Sequence, residues 1–221
     1  MNWYQKYASS NICFFVDLDE TLIISVSKVS YLPTAPPEIA HDFRKSIQWR
    51  KSLTPEDLDR EAKSNGFELI HFEYPDGDDY RYVKAHPMAD RFLAELNKIS
   101  NGQVYLCTSS HELYAKKIVE HFGFAKHLRG IFHRKDINER SVPATCENFI
   151  LIDDLGPTTA GIARKMQFLG KHLEQEYYSD PDEHEKAVTE LFGPHFTQVE
   201  RFDGKDSDSL QNALNQIRKK I

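Results

Sequence analysis

Two aspartates separated by a single residue follow the first apolar run of the chain. Asp17 and Asp19 come after Ile12-Cys13-Phe14-Phe15-Val16. Five consecutive apolar residues predict a strand buried on both faces, and open α/β sheets bind ligands at the carboxyl ends of such strands. Two carboxylates at that edge suit phosphoryl transfer in which Asp17 attacks phosphorus and Asp19 exchanges protons with the leaving oxygen and then with water. The spacing therefore predicts a site built around an aspartate nucleophile.

Three later apolar runs also end in polar residues. Thr108 and Ser109 follow Val104-Tyr105-Leu106-Cys107, Lys135 follows Ile131-Phe132-His133-Arg134, and Asp153 and Asp154 follow Phe149-Ile150-Leu151-Ile152. Taken singly, a Thr-Ser-Ser turn often caps a helix and an isolated lysine is usually a surface residue. The acidic pair is more informative, because adjacent carboxylates repel each other unless a cation compensates. In combination and in this order, the four strand ends favour a phosphate site.

The carboxylates at two of these strand ends predict a magnesium site. A phosphate ester is anionic and resists attack by a carboxylate unless a cation screens the approach. Asp17 and either Asp153 or Asp154 supply the oxygen ligands that Mg²⁺ prefers, and a backbone carbonyl at Asp19 completes the set. Mg²⁺ is therefore the predicted cofactor.

The remaining two strand ends predict groups that hold the phosphate. Thr108 and the backbone amides that follow it, beginning with Ser109, are suited to hydrogen-bond phosphate oxygens. Lys135 is suited to neutralise the negative charge of the phosphate that the metal does not compensate. These three residues are the predicted phosphate-binding residues.

Strand and helix patterns alternate along the chain and predict an α/β fold. A helix from Pro87 to Ile99 carries apolar residues at helical spacing, and a second helix follows Cys107 and ends before Gly123. Such alternation favours a parallel sheet with helices on both faces. Further along, residues 187–192 are predicted as helix, residues 196–202 as strand, and residues 207–221 as an amphipathic helix.

An insertion of about residues 23–84 separates the first strand from this alternating pattern. Pro33, Pro36 and Pro37 predict irregular structure over residues 23–53. Beyond it, the pattern predicts a short helix from Thr54 to Gly66 and a β-hairpin over residues 67–84. Residues 1–221 are thus predicted as one domain with a small, partly β insertion, and the abrupt end at Ile221 leaves room for a further C-terminal region.

Composition excludes several classes of protein. The 221 residues carry 28 Lys and Arg against 34 Asp and Glu, a net charge of -6 without a basic block, which argues against nucleic acid as a partner. No apolar stretch approaches the ~20 residues of a membrane span. Cys13, Cys107 and Cys146 are odd in number and two lie in apolar runs, so reduced thiols and a soluble, cytoplasmic protein are expected.

The motifs resemble those of the haloacid dehalogenase (HAD) superfamily, and within it the FCP/SCP-type phosphatases related to those that act on the C-terminal domain of RNA polymerase II. The matching segments, spread over about residues 11–160, are Phe14 to Leu22, Tyr82 to Leu93, Val104 to Tyr114, Phe132 to Asp136 and Ile150 to Asp154. The resemblance implies a Rossmann-like HAD core. It implies a nucleophile at Asp17, an acid/base at Asp19, phosphate-binding residues at Thr108 and Lys135, and metal ligation by Asp17, the Asp19 backbone and most readily Asp154, with Asp153 nearby.

The chain departs from the family pattern at three places. His86 stands where the family usually has an arginine, Asp153-Asp154 stands where Asp-Asn is common, and Lys135 follows His133-Arg134 without the usual spacer.

We therefore predict a phosphoric monoester hydrolase acting on a phosphoprotein. A small-molecule phosphatase and a non-catalytic binding module of the same fold are the alternatives, and retention of both Asp17 and Asp19 speaks against the second. Some bacterial effectors of this type resemble tyrosine phosphatases, and that analogy favours phosphotyrosine over phosphoserine or phosphothreonine. For a secreted effector the expected location is the cytoplasm of the host cell.

Overall fold

The computed structural model describes residues 12–139, 148–171, 181–205 and 207–221. Within these ranges it has eight strands: β1 (Ile12–Val16), β2 (Ile23–Ser27), β3 (Glu68–Tyr74), β4 (Gly77–Ala85), β5 (Val104–Cys107), β6 (Gly130–Phe132), β7 (Asn148–Asp153) and β8 (Phe196–Gln198). The same ranges hold nine α-helices: α1 (Pro37–Ala40), α2 (Phe43–Ser52), α3 (Pro55–Ser64), α4 (Ala89–Ser100), α5 (Glu112–His121), α6 (Arg134–Glu139), α7 (Ala160–Phe168), α8 (Pro181–Phe192) and α9 (Ser209–Lys220). The chain divides into two units, of which the smaller is Ile24–Lys84.

A parallel sheet with the strand order β6-β5-β1-β7-β8 forms the centre of the larger unit. All five residues of β1 are buried, as expected for a central strand covered on both faces. Val16 at the end of β1 is in register with Leu106 of β5 and Ile152 of β7. Because the three strands run in the same direction, the residues that follow them meet at one edge of the sheet.

Helices cover both faces of this sheet. On one face Cys13 and Phe15 of β1 belong to a buried cluster with Ile162 and Met166 of α7 and Phe192 of α8. Toward the opposite face, α4 contacts β1 and β5, and α9 packs on α4. Each fully buried large apolar side chain stabilises the fold by about 1.5–3 kcal/mol. The predicted α/β class with a parallel sheet and helices on both faces is confirmed.

The smaller unit is built on an antiparallel sheet with the order β2-β4-β3. Its hairpin joins β3 to β4 with Glu68 paired to Val83 and Tyr74 to Gly77, as the turn residues predict. Helix α3 begins after Thr54, as predicted, and the Thr54 side chain accepts from Asp57 N–H in a capping box. These elements occupy the residues for which the sequence predicts an insertion.

The prediction of irregular structure over residues 23–53 is wrong. Strand β2 and helices α1 and α2 lie there. Pro37 is the first residue of α1, where a missing N–H costs nothing, and the Asp42 side chain caps α2 by accepting from the backbone N–H groups of Arg44 and Lys45. The prolines therefore bound these elements instead of preventing them.

Three other expectations need adjustment. The strand predicted over residues 196–202 is confined to Phe196–Gln198, and the helix predicted over residues 187–192 begins at Pro181. Among the cysteines, Cys107 is a buried free thiol, as expected, whereas Cys13 is disulfide-bonded, contrary to expectation. Cys146 lies outside the described residues. No helix in the described ranges is both long and apolar enough to cross a membrane.

Candidate active site

Three neighbouring strand ends bring polar residues together at one edge of the sheet. Asp17 directly follows β1, Thr108 directly follows β5, and Asp153 is the last residue of β7. All three are buried, with exposed fractions of 7%, 1% and 0%. Since β1 lies between β5 and β7, Asp17 stands at the centre of this group.

A tight turn after Asp17 separates it from Asp19. Glu20 has a φ of 62°, the left-handed region that a side chain rarely adopts at a cost of about 1–3 kcal/mol. The turn is held from several sides: Glu20 N–H donates to the Ile23 carbonyl at 2.6 Å, the Glu20 carbonyl accepts from Phe202 N–H at 2.6 Å, and the Glu20 carboxylate pairs with Arg201. The two aspartates therefore do not point to the same side, as residues two apart in a continued strand would.

Lys165 of α7 holds Asp17 and Asp153. Its Nζ donates to Asp17 Oδ1 and to Asp153 Oδ2, both at 2.6 Å, and the lysine is only 2% exposed. Burial alone would lower the pKa of this ammonium, but the two carboxylates raise it well above its usual range, so Lys165 stays charged. Thr159 caps the helix that carries it by accepting from Ile162 N–H.

Asp19 has a different kind of support. Ser110 Oγ donates to its Oδ2 and Tyr114 OH donates to its Oδ1, both at 2.5 Å. Both donors lie on the segment that runs from the end of β5 into α5, and Asp19 itself is half-buried. Two hydroxyl groups therefore fix the carboxylate while leaving it accessible to solvent.

The predicted phosphate-binding residues Thr108 and Ser109 begin the loop after β5. Thr108 N–H donates to the Phe132 carbonyl at 2.9 Å, and its Oγ1 accepts from Ser110 N–H at 3.2 Å. Ser109 is exposed, and its carbonyl accepts from Arg134 Nε at 2.7 Å. The loop thus lies beside both aspartates. It follows β5, which pairs with the strand before Asp17, and its residue Ser110 donates to Asp19.

Lys135 is not placed with the carboxylates. Its side chain is 72% exposed and its Nζ lies 3.8 Å from Glu139. The residues after His133 form α6 at once, and Ile137 is the residue that this short helix buries, so Lys135 falls on its solvent side. The lysine that contacts Asp17 and Asp153 is instead Lys165, which the sequence analysis missed.

A signal for Lys165 exists in the sequence. It lies on the same turn of α7 as Ile162 and Met166, which are both fully buried. A lysine in the middle of an apolar helix face needs a buried anionic partner, because a buried ammonium without one is strongly unfavourable. Nothing in the local pattern identifies that partner, since Asp17 is 148 residues away.

The carboxylates of Asp17, Asp153 and Asp154 form a group that fits a metal ion. One oxygen from each lies within 4.8 Å of the other two. Asp153 uses Oδ1 to accept from Leu155 N–H at 3.0 Å and Oδ2 to accept from Lys165, whereas Asp154 is half-buried next to it. Hard oxygen donors of this kind suit Mg²⁺.

Electrostatics support the same fit. Burial is the main cause that raises the pKa of Asp17 to about 8, with Asp153 adding repulsion and Lys165 opposing both. Burial, followed by repulsion from Asp153 and Glu20, raises the pKa of Asp154 to about 6. Ionisation of all three carboxyl groups beside one ammonium would leave excess negative charge in a mostly buried site, which a divalent cation would compensate.

His86, at the position where the family usually has arginine, supports two helices. The buried ring accepts from Met88 N–H through Nδ1, and its Nε2 lies 3.1 Å from Ser209 Oγ at the start of α9. Its backbone N–H donates to the Leu22 carbonyl, which connects it to the loop that carries the aspartates.

Comparison with known proteins assigns the chain to a family. Residues 12–156 match the model of the NLI interacting factor-like phosphatases, which is more than half of the chain. The chain belongs to this family, in agreement with the FCP/SCP-type resemblance of its motifs. A search of the curated proteins finds no match.

Two solved structures also match the chain. The RNA polymerase II CTD phosphatase Fcp1 of fission yeast, bound to beryllium fluoride, shares 14% identity over 99% of this chain and 52% of its own, with a TM-score of 0.49. A second structure of Fcp1 shares 15% identity over 97% of this chain and 50% of its own, with a TM-score of 0.48. The chain therefore spans about half the length of these two proteins.

Proposed function

We propose that the chain is a Mg²⁺-dependent phosphoprotein phosphatase that works through an aspartyl-phosphate. The observation that carries this proposal is the buried carboxylate of Asp17, bound by Lys165 and grouped with Asp153 and Asp154 at the end of the central strand. Membership of a phosphatase family supports it.

In the proposed first step Asp17 attacks phosphorus through Oδ2, because Oδ1 accepts from Lys165. The new Oδ2–P bond forms while the bond from phosphorus to the ester oxygen breaks. Asp19, protonated in this step, gives its proton to the leaving oxygen. Ser110 and Tyr114 hold Asp19 in position for that transfer.

In the second step a water molecule attacks the phosphorus of the aspartyl-phosphate. Asp19, now a carboxylate, takes the proton from this water as the Asp17–phosphorus bond breaks. Inorganic phosphate leaves, Asp17 is restored as a carboxylate, and Asp19 is again protonated. The two aspartates thus alternate between covalent and proton-transfer chemistry.

The surrounding residues have assigned parts in this proposal. Asp17 and Asp154, with the Asp19 backbone carbonyl, would hold Mg²⁺, whose charge screens the approach of the nucleophile. Asp153 instead holds Lys165, because both of its oxygens already accept hydrogen bonds. Lys165 replaces Lys135 as the cation beside the nucleophile.

Thr108 and the amides from Ser109 onward are the proposed phosphate-binding groups. Their loop adjoins Asp17 through β5 and Asp19 through Ser110. Oxygens of a bound phosphate would accept hydrogen bonds from these groups in the transition state, when the charge on the oxygens is greatest.

A polypeptide substrate fits the way the chain is connected near the site. Between Thr108 and Lys135 there is room only for α5, a 3₁₀ turn, β6 and the start of α6, so no folded cap is inserted there. An uncapped site can admit a phosphorylated side chain that projects from a protein. Phosphotyrosine is the favoured residue by analogy with the effector phosphatases, and phosphoserine or phosphothreonine is the alternative.

A panel of phosphopeptides tests the proposal. Phosphate release would be measured from matched phosphotyrosine, phosphoserine and phosphothreonine peptides, and from sugar phosphates and nucleotides, at fixed Mg²⁺ and with a chelator. We expect turnover of peptides that stops with the chelator. Turnover that resists the chelator would remove the metal from the proposal. Turnover of the small molecules alone would show a small-molecule phosphatase instead of a phosphoprotein phosphatase.

A further inference from the structure

An open pocket adjoins the loop that carries Thr108 and Ser109. Its volume is about 350 Å³, enough for one polar side chain. The lining residues lie at the start of α5 and along α6: His111 and Glu112 at the first, and His133, Arg134, Lys135, Asn138 and Glu139 at the second. None of the proposed catalytic or metal-binding aspartates lines it.

Arg134 connects this pocket to the proposed active site. Its backbone N–H donates to the Ser110 carbonyl at 3.2 Å, and its Nε donates to the Ser109 carbonyl at 2.7 Å. Ser110 in turn donates through Oγ to Asp19. The guanidinium is therefore fixed against Ser109, and the next residue of that loop, Ser110, supports the proposed acid/base Asp19.

The charges around the pocket leave Arg134 available. Glu112 is paired with Lys116 at 2.5 Å and also lies 3.4 Å from His133. Lys135 faces Glu139. Within the residues that the structure describes, by contrast, the two terminal nitrogens of Arg134 have no partner, and the side chain is exposed. The pocket thus presents one oriented, unpaired cation.

We propose that this pocket is a substrate subsite that binds an acidic group next to the phosphorylated residue, with Arg134 as its main contact. The inference rests on the proposed function and adds a substrate class to it. A guanidinium anchored through Nε offers its terminal nitrogens to a carboxylate or phosphate in fixed geometry. Because Arg134 and Asp19 both contact the Ser109-Ser110 segment, the acidic group is expected within a few residues of the phosphorylated residue.

Peptide binding to the Asp17→Asn variant tests the subsite without hydrolysis. The peptides share one phosphorylated residue and carry alanine, glutamate, lysine or a second phosphoserine at each flanking position in turn. Dissociation constants would be measured by calorimetry. We expect at least one position where glutamate binds about three- to ten-fold more tightly than alanine, with lysine the weakest. The phosphoserine arm distinguishes a carboxylate site from a site for a second phosphate.

Charge reversal identifies the residue responsible. Adding Arg134→Glu to Asp17→Asn is expected to invert the order, so that the lysine peptide binds best. The matched control is Arg129→Glu, because Arg129 is also exposed but precedes β6 and donates its N–H to the Val104 carbonyl at the opposite end of the sheet. This control is expected to keep the preference for glutamate.

Two results would overturn the inference. Equal binding of the glutamate, alanine and lysine peptides at every position would remove the subsite, and a preference that survives Arg134→Glu would place it elsewhere. Turnover of the alanine peptide by the unsubstituted protein is measured in parallel. If the alanine peptide is turned over, either result removes the subsite alone. If it is not turned over at saturating Mg²⁺, the proposed function fails and the subsite fails with it.

Discussion

Asp17 and Asp19 are two residues apart, yet their surroundings differ in almost every respect. Asp17 is buried and bound by the ammonium of Lys165, whereas Asp19 is half-buried and bound by the hydroxyl groups of Ser110 and Tyr114. One carboxylate has cationic support suited to a nucleophile that must approach an anion. The other is held by two neutral hydroxyl donors and is open to solvent. Environment, and not residue type, therefore separates the proposed roles.

The end of β1 before Asp17 makes this difference possible at so short a spacing, because both aspartates lie in the turn that follows the strand. A continued strand would place Asp17 and Asp19 on the same face with similar neighbours, since residues two apart share a face. Strand β1 ends before Asp17, and Asp19 is bound by Ser110 and Tyr114 of the segment that leads into α5. The left-handed Glu20 that follows is held by Phe202 and Arg201. The cost of this turn is local, and the contacts of the C-terminal segment offset it.

Replacing the nucleophile should have the largest effect. Asp17→Asn is expected to lower kcat by at least about a thousandfold, because an amide cannot form the aspartyl-phosphate. Acid-quenched reactions with labelled substrate would measure the covalent intermediate directly. The control is Asp90→Asn, which removes an exposed carboxylate of α4 that pairs with Lys126. Labelled protein from Asp17→Asn would show that the nucleophile is another residue.

Replacing the proposed acid/base should have a smaller effect that depends on the substrate. Asp19→Asn is expected to lower kcat by about a hundred- to several hundredfold on peptides. The first step should suffer less with an aryl phosphate, whose leaving group needs no proton, so phosphorylated protein should accumulate. Burst kinetics would measure it. If the rates of both steps fell equally for peptides and aryl phosphates, the result would contradict the acid/base role that distinguishes Asp19 from Asp17.

Lys165→Met removes the cation that distinguishes the surroundings of Asp17. Breaking a buried ion pair costs about 3–5 kcal/mol, so we expect the free energy of unfolding in urea to fall by about 3 kcal/mol and the kcat of the folded fraction by about a hundredfold. Lys135→Met is the matched control, because that lysine is 72% exposed, and it should change either quantity little. A larger loss of kcat in Lys135→Met than in Lys165→Met would restore Lys135 as the lysine that neutralises the phosphate charge.

How much of this site the sequence predicts depends on whether the information is local. The apolar runs and the polar residues that end them predict β1, β5 and β7 and the positions of Asp17, Thr108 and Asp153, because strand burial is visible within five residues. Lys165 is not predictable in this way, since its two partners come from other elements. The interpretation of residues 23–53 fails for a related reason: a proline pattern does not distinguish a helix start from a loop.

Tyr114→Phe should give the smallest of the expected effects, and it tests the support of Asp19 alone. A hydrogen bond to a charged group contributes about 1.5–3 kcal/mol, and Ser110 still donates to the other oxygen, so a five- to tenfold loss of kcat with little change in KM is expected. Tyr105→Phe is the control, because that hydroxyl donates to Gln103 before β5, away from the site. A loss that appears in KM instead would mean that Tyr114 binds substrate, and the neutral support of Asp19 would then rest on Ser110.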